Sequence, residues 1–215
     1  MSPIPIATTL FPIAWILVGA AAGWFLRWGS VRLARLEGLE PGNRRWQVFG
    51  PPILAALLFG VFAFHIGPEP ILFLRSLFIL VLVQVIFFDF EHRLILDRVI
   101  FPAMAVALVA SLFRDPWWGG LAAGLGAGLL FLGLALAGSA IFKAEALGFG
   151  DVKLTLFMGL LLGPLPTAQA LFYGVFMAGV VSIGMIAWHR SLKGTLAYGP
   201  YLAAGAIIVL YLLSP

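Results

Sequence analysis

The chain has 215 residues, 62% hydrophobic and 10% charged, with a formal net charge of +4 and a mean hydropathy of +1.08. Soluble domains hold about 45–50% apolar and about 25% charged residues, so a soluble globular chain is excluded. The excess positive charge reads as basic loops on one side of a bilayer, not as a nucleic-acid footprint. Cysteine is absent, which removes disulfides, a thiol nucleophile and Cys-ligated zinc.

In chain order, charges and turn residues divide the sequence into about eight apolar segments, at 8–28, 51–67, 71–88, 98–113, 118–142, 152–163, 167–188 and 196–213. Lipid offers backbone groups no hydrogen-bond partners, so spanning segments must be helices. The expected fold is all-α, a polytopic integral membrane protein with about eight transmembrane helices. The N-terminal "MSPIPIATTLFP" has no basic n-region, so the first segment is read as a retained helix and not a signal peptide. The stretch 27–46, "RWGSVRLARLEGLEPGNRRW", is read as a short basic loop. "GPEP" (67–70), "RDPWW" (114–118) and "GPLPT" (163–167) are turns. In the fifth segment Gly120, Gly124 and Gly128 recur every four residues, which predicts a small-residue face for close helix packing. The sixth segment is short for a span, and is expected to be tilted, broken or continued past Pro164.

The basic residues give an orientation. Arg27, Arg32, Arg35, Arg44, Arg45, Arg93, Arg98, Lys143, Lys153, Arg190 and Lys193 fall in alternate loops, and the positive-inside rule makes those loops cytoplasmic. The opposite loops hold Arg114, while Arg75 lies inside the third segment, where snorkelling or pairing with Glu69 is the default reading.

Five of the nine acids gather in two of the basic loops: Asp89, Glu91 and Asp97 in one, Glu145 and Asp151 in the other. Two spans separate these loops, so both lie on one membrane face. Two carboxylates at one site share a proton, and one can activate water while the other polarises a carbonyl. Ionisable groups at a membrane site are functional candidates by default. The structural alternatives stay open at this point. Asp89 stands four residues before Arg93, a spacing for a helical ion pair; Asp97 and Asp151 could each cap a helix N-terminus. His65, His92 and His189 are scattered without ligand spacing, so no metal site is expected. Thr155 and Ser182 lie in apolar surroundings and are read as bonded to backbone.

At these residues the sequence resembles the prepilin leader peptidases, membrane aspartyl proteases of the GxGD type. "EALGFGDVKL" (145–154) is similar to the family's second catalytic motif through Glu145, Gly148, Gly150, Asp151 and Lys153. "DFEHRLILD" (89–97) is similar to its first, D-x-E-x-x-x-I-P-D. The flanking small-residue segment and the later "LAYGPYLAAGAI" (196–207) extend the resemblance over about 75–210. It implies Asp89 and Asp151 as catalytic residues, with Glu91, Asp97, Glu145, Gly148, Gly150 and Lys153 supporting the motifs. It also implies a multi-pass enzyme of the inner (cytoplasmic) membrane with its active site on the cytoplasmic side. Its substrates would be type IV prepilin or pseudopilin precursors, cut after a glycine that ends the leader, with no cofactor for proteolysis and no nucleic-acid partner. The chain then divides into a two-helix N-terminal region, 1–70, and a six-helix peptidase core, 71–215.

Two departures stand out. Leu96 occupies the place of the family's proline, so the turn into Asp97 is expected to differ. The family's N-terminal methyltransferase part often has a long cysteine-bearing cytoplasmic loop, whereas the loop here is about twenty residues and has no cysteine. N-methylation of the new terminus with S-adenosylmethionine is therefore left open. From other functional classes, a proton-coupled small transporter or a non-catalytic membrane scaffold would also place acids in such a chain.

Overall fold

The computed structural model describes residues 6–142, 148–189 and 197–213. The described residues form eight helices: α1 (Ile6–Leu36), α2 (Arg45–Ile66), α3 (Pro70–His92), α4 (Asp97–Leu112), α5 (Gly119–Phe142), α6 (Phe149–Leu162), α7 (Pro164–His189) and α8 (Gly199–Leu212). Five contain stretches long and apolar enough to cross a membrane: Leu10–Leu36, Arg45–Ile66, Pro70–His92, Gly119–Ile141 and Pro164–Met185. The chain is thus an all-helical, multi-pass membrane protein; the shorter α4 and α6 lie between long helices, and α8, short and apolar, comes last.

The first helix runs further than the hydropathy pattern suggests. Residues 27–36, expected within a basic loop, continue α1. Nothing in "RWGSVRLARL" breaks a helix, since Arg, Leu and Ala favour it and the lone Gly29 costs only about 1 kcal/mol. The stop comes at Gly38, which takes φ +71°. Leu39 N–H bonds to Ala34 C=O at 2.8 Å and Gly38 N–H to Arg35 C=O at 3.2 Å, the two bonds of a glycine-terminated Schellman cap. The sixth segment shows a similar ending: α6 closes at Leu162, Gly163 turns at φ +83°, and α7 starts on Pro164. The helix does not continue past that proline, which has no N–H to extend it.

The chain divides into two compact units, Met1–His92 with Leu210–Pro215, and Arg93–Val209. In the first, α1 packs closely on α2. A Cβ placed on Gly23 would come within 2.5 Å of Pro52 Cα, and one on Gly19 within 2.7 Å of Ala55 O, so small residues let two backbones meet where side chains would not fit. Polar contacts join α1 to α3 as well: Trp15 Nε1 donates to Ser76 Oγ at 3.1 Å, and Ser30 Oγ to Gln84 Oε1 at 2.7 Å. Arg75 of α3 directs its guanidinium at the end of α8, donating to Leu210 C=O at 3.4 Å and Leu213 C=O at 3.0 Å. These carbonyls lie beyond the reach of further helical donors, and a cation there also complements the helix dipole.

In the second unit α6 is the central element, with ten of its 14 residues buried. The glycine face foreseen in α5 lies against it. A Cβ on Gly159 would sit 2.3 Å from Gly124 N; one on Gly120 would approach Leu160 O to 2.9 Å; one on Gly128 would approach Leu156 Cβ to 3.2 Å. A second close approach joins α7 to α8, where a Cβ on Gly205 would come to 2.3 Å from Ala170 O. Arg114, between α4 and α5, donates to Leu160 C=O at 2.8 Å. That carbonyl's helical donor would be residue 164, which is a proline, so the guanidinium replaces a missing N–H. Desolvation by burial lowers the Arg114 pKa from its ordinary value, but a guanidinium still keeps its charge at neutral pH.

The α5–α6 crossing generates a prediction. Gly159→Ala should destabilise the protein by about 1–3 kcal/mol, because backbone and not a flexible side chain must yield. Gly133→Ala, with nothing within 4 Å of the new methyl, should stay within about 0.5 kcal/mol of wild type. Thermal unfolding in detergent, followed by tryptophan fluorescence, separates the two.

Candidate functional site

Asp89 lies in the last turn of α3, in the first unit, and is buried, with 6% of its surface exposed. Two residues further is Glu91. On an α-helix two steps rotate a side chain by about 200°, so Glu91 points to nearly the opposite side from Asp89. Its carboxylate meets Arg27 of α1, with Nη1 to Oε2 at 3.2 Å. Its other oxygen accepts the Gly42 backbone N–H from the loop between α1 and α2, while Arg27 Nη2 donates to the Gly42 carbonyl. His92 Nε2 lies 3.2 Å from Glu91 Oε1, close enough for charge attraction when protonated but out of line for a hydrogen bond. The pair is shielded, at 11% and 6% side-chain exposure; removing one partner of such a pair generally costs about 3–5 kcal/mol.

Just past this network Arg93 adopts φ +53°, a left-handed conformation uncommon outside glycine. It follows His92, the last residue of α3. The next helix, α4, begins after Leu96, whose dihedrals are φ −70° and ψ 120°. The turn into Asp97 has a proline-compatible φ although the residue is leucine. Asp97 occupies the first helical position, and its carboxylate goes to Lys153 Nζ at 2.5 Å. Asp97 is 54% exposed and Lys153 20%; an exposed pair of this kind is worth about 0.2–1 kcal/mol. Lys153 Nζ also lies 5.3 Å from each of the Phe101 and Phe149 ring centroids.

Asp151 lies in the first turn of α6, in the second unit, buried at 8% exposure. Gly148 is the N-cap, in extended conformation at φ −69° and ψ 141°, and its carbonyl accepts the Asp151 N–H at 3.0 Å. Asp151 is therefore the third residue of the helix, where the dipole favours a negative charge. Its carboxylate folds back over Gly148, leaving Oδ2 3.6 Å from where a Gly148 Cβ would be. Gly150 serves packing: its Cβ would lie 3.1 Å from Ile95 Cβ. Lys153 again stands two residues after an aspartate and turns to the other side of its helix. Glu145 lies outside the described residues.

Thr155 Oγ1 donates to the Val152 carbonyl at 3.0 Å, the backbone bond expected from its apolar setting. Among the described residues no group of three or more His, Asp or Glu side chains is arranged to hold a metal. Sequence reasoning passed over Arg27 and Gly42. Arg27 follows an apolar segment as any positive-inside residue does, and Gly42 belongs to a polar stretch without a motif. The burial of Glu91 is what distinguishes them.

The chain matches the type IV leader peptidase family over residues 76–183, about half its length. It is 31% identical over 160 residues to the prepilin leader peptidase/N-methyltransferase of Bacillus subtilis (strain 168). That alignment covers 73% of this chain and 62% of the relative, so the chain spans less than two thirds of the relative's length. No solved structure matches it.

The Leu96 geometry generates a prediction about the departure from the motif. Leu96→Pro should fold normally and shift stability by less than about 1 kcal/mol. The gain from a stiffer unfolded chain, about 0.4–1 kcal/mol, is offset by the contacts that a 4%-exposed leucine gives up. Thermal unfolding of the variant beside wild type checks this, and a loss of several kcal/mol would show that the turn needs the leucine.

Proposed function

Because the chain belongs to the type IV leader peptidase family, we propose that it is a membrane aspartyl endopeptidase that removes the leader from type IV prepilin-like or pseudopilin precursors. Asp89 and Asp151 are its catalytic pair. The observation that carries this reading is that both motif aspartates are buried near helix ends, at 6% and 8% exposure, each two residues from a charge engaged elsewhere. Burying a carboxylate is costly, and an ionisable group kept inside a membrane protein is a functional candidate by default.

In the proposed reaction one carboxylate takes a proton from water as its oxygen attacks the scissile carbonyl carbon. The other, protonated, donates to the carbonyl oxygen. Collapse of the tetrahedral intermediate breaks the C–N bond: the proton taken from water passes to the leaving amine, and the second carboxylate takes back a proton from a hydroxyl of the intermediate, which restores the starting pair. Glu91, Asp97, Gly148, Gly150 and Lys153 support the two motif segments. Glu145 belongs to the second motif by its place in the sequence. The active site faces the cytoplasm of the inner membrane, where the basic residues concentrate and where a precursor's leader would lie.

The name of the Bacillus subtilis relative also includes an N-methyltransferase, whose methyl donor would be S-adenosylmethionine. The acids of the loop after α1, Glu37 and Glu40, are exposed, and Glu91 is occupied by Arg27 and Gly42. The proposal is confined to the peptidase, and methylation is an outcome of its test.

Mass spectrometry of a prepilin-like precursor incubated with the purified protein and S-adenosylmethionine tests the reading. Cleavage after the leader glycine is expected, with Asp89→Asn and Asp151→Asn each reducing turnover by more than about 100-fold. A product heavier by one methyl group would restore the second activity. An intact precursor with folded wild-type protein would favour a scaffold or a proton-coupled transporter.

A further inference from the structure

We propose that Arg27 is a positioning residue for the peptidase: through Glu91 and Gly42 it fixes the last turn of α3, and with it Asp89. This makes α1 and the loop after it part of the working enzyme, and it rests on the reading of Asp89 given above.

The end of α3 is where Asp89 stands. The last carbonyls of a helix have no intrahelical donors, and the terminal turn tends to fray. Asp89 is in that turn, and the left-handed Arg93 stops the helix immediately after it. Side-chain contacts of that turn counter the fraying. Glu91 supplies one set of them from the opposite side of the helix, towards α1.

Three features make this contact more than a surface ion pair. Its carboxylate and guanidinium are shielded, at 6% and 11% exposure, so the attraction is weakly screened and loss of either partner leaves a buried charge. The same two side chains also hold both backbone groups of Gly42, one the N–H and the other the C=O. Finally, a Cβ on Gly42 would overlap the Gln47 side chain at 2.2 Å, and Gln47 Oε1 itself accepts the Arg44 N–H at 2.8 Å at the start of α2. The loop is thus seated on α2 at one side and on the Arg27–Glu91 pair at the other.

The contacts of α1 with α3 further along point the same way. Trp15–Ser76 and Ser30–Gln84 fix the register of the two helices, and in an apolar setting such hydrogen bonds select one register over its neighbours. Arg27–Glu91 is the contact of that set nearest to Asp89.

The test uses the 215-residue chain in lipid nanodiscs, with a synthetic precursor segment whose basic leader ends in glycine. Wild type, Asp89→Asn, Arg27→Met, Arg27→Lys, Glu91→Gln and the Arg27→Met/Glu91→Gln double variant are compared for kcat and KM. Amide exchange of residues 86–92 is measured in parallel. Arg27→Met should lower kcat tenfold or more, with KM changed less than threefold, and should speed exchange in the last turn of α3. Arg27→Lys should recover part of the rate, because a lysine retains the charge but not the two-pronged contact. The double variant should be no slower than Arg27→Met alone. If wild type cleaves and Arg27→Met cleaves within twofold of it, the inference is overturned while the peptidase reading stands. If wild type cleaves nothing, the peptidase reading fails, and the exchange data decide the anchor: faster exchange in Arg27→Met supports it, unchanged exchange overturns it.

Discussion

A charge inside an apolar helical bundle is expensive unless something specific receives it, and much of this structure follows from that constraint. Arg27 meets Glu91 and the Gly42 carbonyl, Lys153 meets Asp97 between two phenylalanine rings, and Arg75 and Arg114 go to carbonyls near helix ends. In each case the partner is a fixed group of another segment, so satisfying the charge also ties two segments together. The hydrophobic effect gives little of this specificity when lipid is as apolar as leucine.

The two aspartate motifs share a local plan under the same constraint. In D-x-E and in D-x-K the charged residue two places on emerges on the other side of the helix and is engaged there, by α1 in one case and by the start of α4 in the other. The aspartate keeps its own side. The two anchors differ in strength. Arg27–Glu91 is shielded and draws a loop into its network, whereas Lys153–Asp97 is half open to solvent, where ion pairs contribute little. The glycines of the second motif have distinct uses too: Gly148 ends the approach to α6 and sits under the Asp151 carboxylate, while Gly150 brings that turn onto Ile95.

Much of this was legible from composition and spacing. Hydropathy located the helices, because lipid requires long apolar runs, and the four-residue glycine interval in α5 announced its packing face. The motif residues could be named through the resemblance of "DFEHRLILD" and "EALGFGDVKL" to a family's two motifs; spacing alone left an ion pair and helix caps as alternatives. Other features were hidden for physical reasons. Arg27, Arg32 and Arg35 read as loop residues by charge, yet they favour helix by propensity, and the stop signal was Gly38. Arg75 looked like a snorkelling side chain, because nothing in a linear sequence says that the last helix ends beside it. Leu96 looked like a break in the motif, but the turn depends on backbone dihedrals, and a leucine can adopt those that proline enforces. The bonds of Glu91 cross from α3 to α1 and to a loop with no pattern of its own, and such long-range pairings leave no local trace.

The crossing of α5 and α6 has a mechanical consequence. Where Gly159 lies on Gly124 there are no side chains between the two backbones, hence no rotamers to absorb a displacement. Most helix contacts behave as cushions, taking up small shifts by repacking; this one behaves as a hard stop. Neither helix can give locally at that point, so a displacement there is passed from one backbone to the other.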